Sequence, residues 1–259
     1  MIAAYLRYLW QAGNLHGLHS PFVYALYRDI IRHRHPAPSG TLPIEVLRSN
    51  LLKSSDSLTV TDLGAGSRRT TGAQRSVASI TRNAQKPARY AWLLHRLIGH
   101  FQARYVLELG TSLGLTTAYL ANAVAQTQGQ LYSFEGCPNT AARARTHMDQ
   151  LGYSQVKLIV GNLDETLAQT VSGLPRIDLA FFDANHRYEP TVQYFMTCLP
   201  LVHNDTVFIF DDIHWSEDME RAWAAIKAHP AVQVTVDLFG VGLVFFRREQ
   251  PKQHFILRF

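Results

Sequence analysis

The fold is decided by the stretch VLELGTSLGLTTAYL, which occupies residues 106–120. It begins as a short apolar run, passes through a turn that contains glycines, and continues with a helical pattern. A strand that leads through a glycine turn into a helix is typical of a parallel α/β sheet. Glu108 stands just before the turn, and Gly110 and Gly114 lie within it. The stretch therefore predicts a ligand-binding turn at the carboxyl end of a strand.

The chain downstream repeats this alternation of strand and helix. Gly240 joins the last two strands, and so short a joint permits only an antiparallel return. We therefore predict an α/β fold with a Rossmann-like, doubly wound, seven-stranded sheet whose last strand is reversed. The predicted strands, rich in β-branched and aromatic residues, are 105–110, 130–135, 156–161, 177–183, 206–212, 233–239 and 241–248.

Residues 1–104 have a different character from the rest of the chain. They contain 14 Lys and Arg against 4 Asp and Glu, whereas residues 105–259 contain 11 against 16. Helical periodicity appears at 2–12, 20–34, 43–52 and 88–102, and residues 54–86 indicate a long loop or lid. We predict a basic helical cap at 1–104 and a ligand-binding domain at 105–259. The basic cap suits an acidic substrate, a nucleic acid, a membrane surface or an acidic partner, or it is merely a solvated face.

Composition excludes several classes of protein. The 259 residues include two cysteines, which form neither a disulfide framework nor a CxxC metal pair. No run of 18 mostly apolar residues indicates a membrane span, and the first residues lack the pattern of a secretory signal. We therefore expect a cytoplasmic protein. The closing HFILRF segment is apolar enough to pack against the sheet or against a second subunit, so a homodimer stays open.

Two glycine loops compete for the nucleotide-binding turn: the one at 106–120 and VTDLGAGSRR at 60–69. A cofactor that carries ribose needs an acid at the end of the next strand, about 20 residues on. Glu135 meets this requirement for the loop after Glu108, and no equivalent strand follows Asp62. The loop after Glu108 is therefore the candidate site, and the other is interpreted as a turn in the lid.

The E-x-G-x-x-x-G pattern of this loop resembles class I S-adenosylmethionine-dependent methyltransferases, and the resemblance covers about 105–248. It implies S-adenosylmethionine as the cofactor, with the loop lining its methionine part and Thr116 offering a hydroxyl to its carboxylate. Glu135 would bind the ribose, and the turn at Gly161 and Asn162 would contact adenine. The residues that the resemblance places at the cofactor are Glu108, Gly110, Thr111, Ser112, Gly114, Thr116, Glu135, Gly136, Gly161, Asn162 and Asp183.

Three aspartates follow neighbouring predicted strands. Asp183 ends one strand, and Asp211 and Asp212 end the next. Such strand ends converge on one crevice, where three carboxylates repel unless they bind a cation, so we predict Mg²⁺ or another hard divalent cation there. The alternative is that Asp211 and Asp212 cap the following segment. The spacing resembles the divalent-metal-dependent O-methyltransferases of the catechol, caffeoyl-CoA and bacterial sugar types, in which two vicinal substrate oxygens complete the metal sphere.

The predicted general base is a histidine. Several of these relatives place Lys three positions after the first Asp, or Asp two positions after it, whereas this chain has His186 and Asn185 there. Histidine is a suitable base near neutral pH. His214 is a second candidate, and Trp215 is expected to wall the acceptor pocket.

The leading hypothesis is thus a Mg²⁺-dependent O-methyltransferase acting on a small-molecule hydroxyl, and the arginines of the cap favour an acidic acceptor. One alternative is an RNA methyltransferase, suggested by the basic cap with its aromatic residues. Because there is no NPPY-type motif and no separate RNA-binding module, a nucleic-acid partner is not expected. A further alternative is a non-catalytic protein that binds the cofactor.

Overall fold

The computed structural model describes residues 2–32, 36–61, 73–83 and 87–259. The α-helices in these ranges are α1 (Ile2–Gln11), α2 (Pro21–Leu26), α3 (Leu42–Lys53), α4 (Val77–Asn83), α5 (Ala88–Phe101), α6 (Leu115–Gln126), α7 (Pro138–Leu151), α8 (Leu163–Ser172), α9 (Tyr188–Cys198) and α10 (Glu217–Ala228). The strands are β1 (Ser57–Thr59), β2 (Gln74–Ser76), β3 (Tyr105–Leu109), β4 (Gln130–Glu135), β5 (Val156–Val160), β6 (Ile177–Phe182), β7 (Val202–Asp211), β8 (Val234–Asp237), β9 (Val241–Phe245) and β10 (Gln253–Ile256).

The chain forms two compact units, which are residues 36–173 and residues 1–35 with 174–259. In the first unit, β4 pairs in parallel with β3 on one side and β5 on the other. Helices α3 to α7 supply a buried apolar cluster that includes Ile44, Val77, Tyr119 and Met148. Covering helices explain why consecutive residues inside β3 and β4 are buried, rather than alternate ones.

In the second unit, β6 and β7 are parallel, and β9 lies antiparallel between β7 and β8. All six residues of β6 are buried. The core of this unit is aromatic: the Phe182 ring stacks on Phe210 with centroids 4.3 Å apart, and Phe195 packs edge-on against Phe208. These buried rings pack β6 and β7 against α9.

The predicted α/β class is confirmed, and each of the seven predicted strands is present as β3 to β9. The predicted reversal falls on β9. One strand was not predicted: β10 comes from the closing HFILRF segment and pairs in parallel with β8, so this segment does extend the sheet. A homodimer stays a prediction.

The interpretation of residues 54–86 as a long loop is wrong for the described part of that segment. Strands β1 and β2 form a short antiparallel pair there, and α4 follows directly. Val77 on α4 is fully buried, and this packing stabilises a helix that the polar composition hides. Residues 62–72, which hold most of the second glycine loop, lie outside the described residues. The division into a cap at 1–104 and a domain at 105–259 stays a prediction.

Within the described residues, no helix combines the length and apolar character needed to cross a bilayer.

Candidate functional site

The glycine turn after β3 is held by hydrogen bonds from its backbone. The amide N–H groups of Gly110 and Thr111 both donate to the carbonyl oxygen of Phe134 on β4, at 3.1 and 2.9 Å. Gly110 has φ +108° and Gly114 has φ +81°, a region that disfavours residues with a Cβ. A Cβ on Gly114 would also lie 3.2 Å from the Ala144 Cβ. The two glycines are therefore required by the shape of the turn.

Glu108, predicted at the methionine part of the cofactor, is fully buried on β3. The Ser133 hydroxyl donates to its Oε2 at 2.6 Å, and the Thr111 and Ser133 hydroxyl oxygens lie 2.5 Å apart. This chain of polar groups connects the buried carboxylate to the turn. Because a buried carboxylate is costly unless hydrogen-bonded, the chain fixes both the acid and the start of the turn.

Glu135, predicted at the ribose, ends β4 and reaches across to the turn. Its Oε2 accepts from the Ser112 backbone N–H at 2.8 Å, and its Oε1 accepts from the Cys137 N–H at 2.9 Å. A carboxylate oxygen has more than one lone pair, so each oxygen of Glu135 can accept a further hydrogen bond. Ser112 itself has φ +50°. Glu135 thus stabilises a turn in which Ser112 adopts a left-handed backbone conformation.

Helix α6 begins directly after the turn, and the half-buried Thr116 lies in its first turn. The backbone N–H groups at a helix start have no partner within the helix, which favours an anionic ligand group. From α7, the His147 ring supports the turn: its Nδ1 lies 2.8 Å from the Leu113 carbonyl oxygen. Because a carbonyl only accepts, Nδ1 carries the proton. Burial lowers the pKa of His147, which keeps the ring neutral.

The residues predicted at adenine follow β5. Gly161 has φ +143°, and its N–H donates to the Glu135 carbonyl oxygen at 3.0 Å. Asn162 is the N-cap of α8, and its side-chain oxygen accepts from the Asp164 N–H at 3.1 Å. These contacts place the turn beside the end of β4, where Glu135 and Gly136 stand. The adenine contact itself stays a prediction.

The second unit contains a group of metal-ligating side chains at the ends of β6 and β7. Asp183 follows β6, and Asp211 is the last residue of β7. Asp183, His186 and Asp211 each direct one ligand atom into a space in which these atoms lie within 4.8 Å of one another. His186 Nε2 is 3.4 Å from Asp183 Oδ1. The Asp211 side chain is buried, whereas Asp183 and His186 are half-buried.

The backbone around this group is unusual. Asn185, His186 and Asp212 have φ values of +67°, +46° and +52°, in the left-handed region that favours glycine. Such conformations persist where the surroundings enforce them, and they concentrate at functional sites. Asn185 donates through Nδ2 to the Tyr194 hydroxyl at 3.3 Å, while its buried Oδ1 has no hydrogen-bond partner among the described residues.

Comparison with known proteins fits both sites. Residues 107–213 match the family model described as a methyltransferase domain. The segment that holds both candidate sites is therefore similar to a methyltransferase domain. The match runs from β3, just before the glycine turn, to Ile213, just after the aspartates of β7.

The methyltransferase domain has relatives among curated proteins and solved structures. The chain is 36% identical over 118 residues to a catechol O-methyltransferase of Mycobacterium tuberculosis. The aligned stretch is 45% of this chain and 51% of that protein. The chain is 34% identical over 114 residues to a catechol O-methyltransferase of Niastella koreensis, 43% and 50% of the two chains. The chain thus spans about half the length of these curated relatives. The cofactor-bound crystal structure of Rv0187 from MTB is 27% identical, covers 65% of this chain and 87% of that one, and has a TM-score of 0.55.

One predicted metal ligand is not part of the metal-ligating group found among the described residues. Asp212, predicted as a third ligand, donates its backbone N–H to the Gly240 carbonyl at 2.9 Å, and its own carbonyl accepts from the Trp215 N–H. Its backbone is thus tied into the loop, and its role as a ligand stays a prediction. The Trp215 ring does stand next to the group, with its centroid 5.8 Å from that of His186.

His214, the second predicted base, belongs to a different cluster of the same unit. Its Nε2 lies 2.8 Å from Asp237 Oδ2, its Nδ1 lies 3.4 Å from Glu220 Oε1, and its ring stacks on Phe239. It lines a cavity of about 290 Å³ together with Arg7 and Tyr8 of α1. Burial alone would lower the pKa of His214, but the hydrogen bonds and charges of Asp237 and Glu220 outweigh burial and raise it.

Sequence reasoning missed two features of these sites. His186 was predicted as a base, and the structure groups it with the aspartates. The available signal was its position three residues after Asp183. The buried Asp237 at the end of β8, which engages His214, was not singled out at all. Its position at the tip of a buried strand was the available signal.

Proposed function

We propose that this protein transfers a methyl group from S-adenosylmethionine to a hydroxyl oxygen of a small molecule, with a divalent cation bound at Asp183 and Asp211. The observation that carries the proposal is the grouping of Asp183, His186 and Asp211 at the ends of two neighbouring strands of a methyltransferase domain. The two relatives named catechol O-methyltransferase support an oxygen acceptor.

The residues present fit a divalent cation. Two carboxylates with oxygens this close repel each other, and a cation placed between them turns the repulsion into attraction. The buried Oδ1 of Asn185, next to the group in sequence, is a further oxygen with unused acceptor capacity. A divalent ion such as Mg²⁺ would supply the chemistry of holding the acceptor's oxygens and lowering the pKa of its hydroxyl.

We assign the cofactor to the glycine turn after β3. The carboxylate of Glu135 would accept the two ribose hydroxyls, because it ends β4 next to the glycine turn and its two oxygens are acceptors. The carboxylate of the cofactor would lie at the start of α6, near the Thr116 hydroxyl. Glu108 would act through the turn that it fixes.

In the proposed reaction, the methyl carbon leaves the sulfonium sulfur and forms a bond to the acceptor oxygen. The electron pair of the broken bond stays on sulfur, and the acceptor loses its hydroxyl proton. The products are S-adenosylhomocysteine, a methyl ether and a proton. The protein's contribution is to hold the three reacting atoms in line, which removes much of the entropic barrier. The basic residues of 1–104 favour an acceptor with a carboxylate or phosphate.

The proposal is tested first by calorimetric titration with S-adenosylhomocysteine, in EDTA and again in Mg²⁺ with catechol as the probe acceptor. We expect S-adenosylhomocysteine to bind both in EDTA and in Mg²⁺, and catechol to bind only in Mg²⁺. Mass spectrometry of a reaction with S-adenosylmethionine and catechol should then show methylated catechol, and EDTA should abolish it.

Two results would contradict the proposal. If S-adenosylhomocysteine does not bind under any condition, the proposed methyltransferase activity is contradicted. Methyl transfer to RNA that continues in EDTA, with no transfer to catechol or to carboxylated catechols, would replace the small-molecule acceptor with a nucleic acid and make the aspartates structural.

A further inference from the structure

The imidazole of His186 lies close to the two aspartates of the metal-ligating group. Ligands about 2.1 Å from a shared six-coordinate ion are roughly 3.0 Å apart when adjacent and roughly 4.2 Å apart when opposite. His186 Nε2 is 3.4 Å from Asp183 Oδ1, and the ligand atoms of all three side chains lie within 4.8 Å. The separation of the imidazole nitrogen from the Asp183 oxygen is therefore closer to that of adjacent ligands than to that of opposite ligands.

The backbone conformation at residues 185 and 186 holds the His186 ring near Asp183. Both Asn185 and His186 lie in the left-handed region, and the His186 N–H closes a tight turn onto the Ala184 carbonyl at 2.8 Å. Residues with a Cβ rarely adopt that region. The tight turn returns the ring to the Asp183 carboxylate instead of continuing into α9.

We propose that His186 binds the metal through Nε2, and that the site therefore prefers a transition ion such as Mn²⁺, Fe²⁺ or Co²⁺ to Mg²⁺. This inference rests on the proposed function and replaces the predicted role of His186 as the base. Mg²⁺ strongly prefers oxygen ligands, whereas imidazole suits transition ions. One nitrogen and two carboxylates leave room for the two oxygens of an acceptor.

The role of ligand excludes the role of base for this ring. A neutral imidazole has one nitrogen with a free lone pair, and that pair binds either the ion or a proton. With Nε2 on the ion, Nδ1 carries the hydrogen, and the proton of the acceptor hydroxyl leaves to solvent.

The test uses the full chain loaded with Mn²⁺ or Co²⁺, without S-adenosylmethionine or acceptor. Pulsed electron paramagnetic resonance of bound Mn²⁺ should show coupling to the imidazole ¹⁴N, and Co²⁺ should give the visible absorption of a site with a nitrogen ligand. Calorimetry should show Mn²⁺ binding more tightly than Mg²⁺ by at least about 10-fold. In His186→Asn, which offers an oxygen instead, the nitrogen coupling should vanish and the preference should collapse.

The matched control is His203→Gln. His203 is also paired with an aspartate, since its Nε2 lies 2.8 Å from Asp178 Oδ1, but this pair is not part of the metal-ligating group. The control should keep the nitrogen coupling and the Mn²⁺ preference. Wild-type chain labelled with ¹⁵N-histidine gives a test that needs no substitution, because the ¹⁴N pattern should be replaced by that of ¹⁵N.

Absence of nitrogen coupling in the wild type, or its persistence in His186→Asn, would overturn the inference. So would equal affinities for Mn²⁺ and Mg²⁺. These failures are distinct from failure of the proposed function, which depends on S-adenosylhomocysteine binding and methyl transfer to catechol. If Mg²⁺ supports transfer and no nitrogen is coupled, the methyltransferase stands and only the ligand assignment falls.

Discussion

The glycine turn after β3 and the acidic group formed by Asp183, His186 and Asp211 differ in what their carboxylates contact. In the turn, Glu135 accepts two backbone N–H groups and Glu108 accepts the Ser133 hydroxyl. In the acidic group, Asp183 and Asp211 lie close to each other and to the His186 ring. The first pair of acids is stabilised by donors of the chain itself, whereas the second brings like charges together.

This difference indicates two kinds of site. A carboxylate satisfied by backbone N–H groups is preorganised, and its position does not depend on a ligand. Carboxylates grouped with one another gain most of their stabilisation when a cation arrives. Substitutions in the two regions should therefore separate cofactor binding from metal-dependent turnover, and the predictions below test that separation.

The largest expected effect is that of Asp211→Asn on turnover. Removing a charged metal ligand should lower the rate of methyl transfer to catechol by roughly 100-fold or more, because the site would bind the ion less tightly and in a different position. Affinity for S-adenosylhomocysteine should stay within about 2-fold, since the turn is preorganised without the ion. Initial rates and calorimetry measure the two quantities.

Asp205→Asn is the matched control, because Asp205 lies on the same strand and its exposed carboxylate pairs with Arg247 at 3.0 Å. It should leave both quantities unchanged. Equal losses of rate and cofactor affinity in Asp211→Asn would contradict the separation of the two regions.

The next effect concerns Glu135→Gln and the cofactor. Both carboxylate oxygens accept backbone N–H groups, and a glutamine provides only one oxygen, so its amide would face an N–H donor. Hydrogen bonds to charged groups contribute about 1.5–3 kcal/mol, so the Kd for S-adenosylhomocysteine should rise by about 10-fold or more. Mn²⁺ affinity should not change. Glu165→Gln, an acid in the first turn of α8, is the control; a loss of Mn²⁺ binding in Glu135→Gln would argue against independent sites.

A smaller effect is expected for Gly114→Ala. The positive φ and the 3.2 Å approach to Ala144 both oppose a Cβ, so the free energy of unfolding should fall by about 1–2 kcal/mol. Gly99→Ala is the control, since Gly99 lies within α5 with no atom within 4 Å of an added Cβ. The control should be stabilised by about 0.5–1 kcal/mol. Urea unfolding measures both, and a neutral Gly114→Ala would show that the turn has room to adjust.

The sequence was sufficient for the strands and for the glycine turn, because both depend on local patterns. Apolar runs predicted β3 to β9, and the spacing from Glu108 to Glu135 selected the turn that the family match includes. It was not sufficient for β10, whose pairing with β8 depends on a contact between separate parts of the chain. The left-handed backbone at Asp212 also could not be predicted from the sequence, because that conformation depends on contacts such as the hydrogen bond from the Asp212 N–H to the Gly240 carbonyl.

The smallest effect is a pH dependence of stability to which the His147 ring beside the turn contributes. Burial lowers the pKa of His147 in the folded chain, so the unfolded chain binds its proton more readily. The stability contributed by the neutral ring is therefore fully present above the unfolded pKa of about 6.5 and is lost as the pH falls below it. His147→Asn keeps a donor for the Leu113 carbonyl but does not titrate, so its unfolding free energy should fall less between pH 7 and pH 5.

Part of the slope should remain in this variant, because burial also lowers the pKa of His95. The exposed His100, changed to Asn, is the control and should keep the wild-type slope. Urea unfolding at several pH values measures each slope. An unchanged slope in His147→Asn would mean that the ring takes up a proton without disturbing Leu113. The position of the glycine turn would then not depend on the contact between His147 and Leu113. This would weaken the view that contacts within the chain hold the turn in place, in contrast to the acidic group.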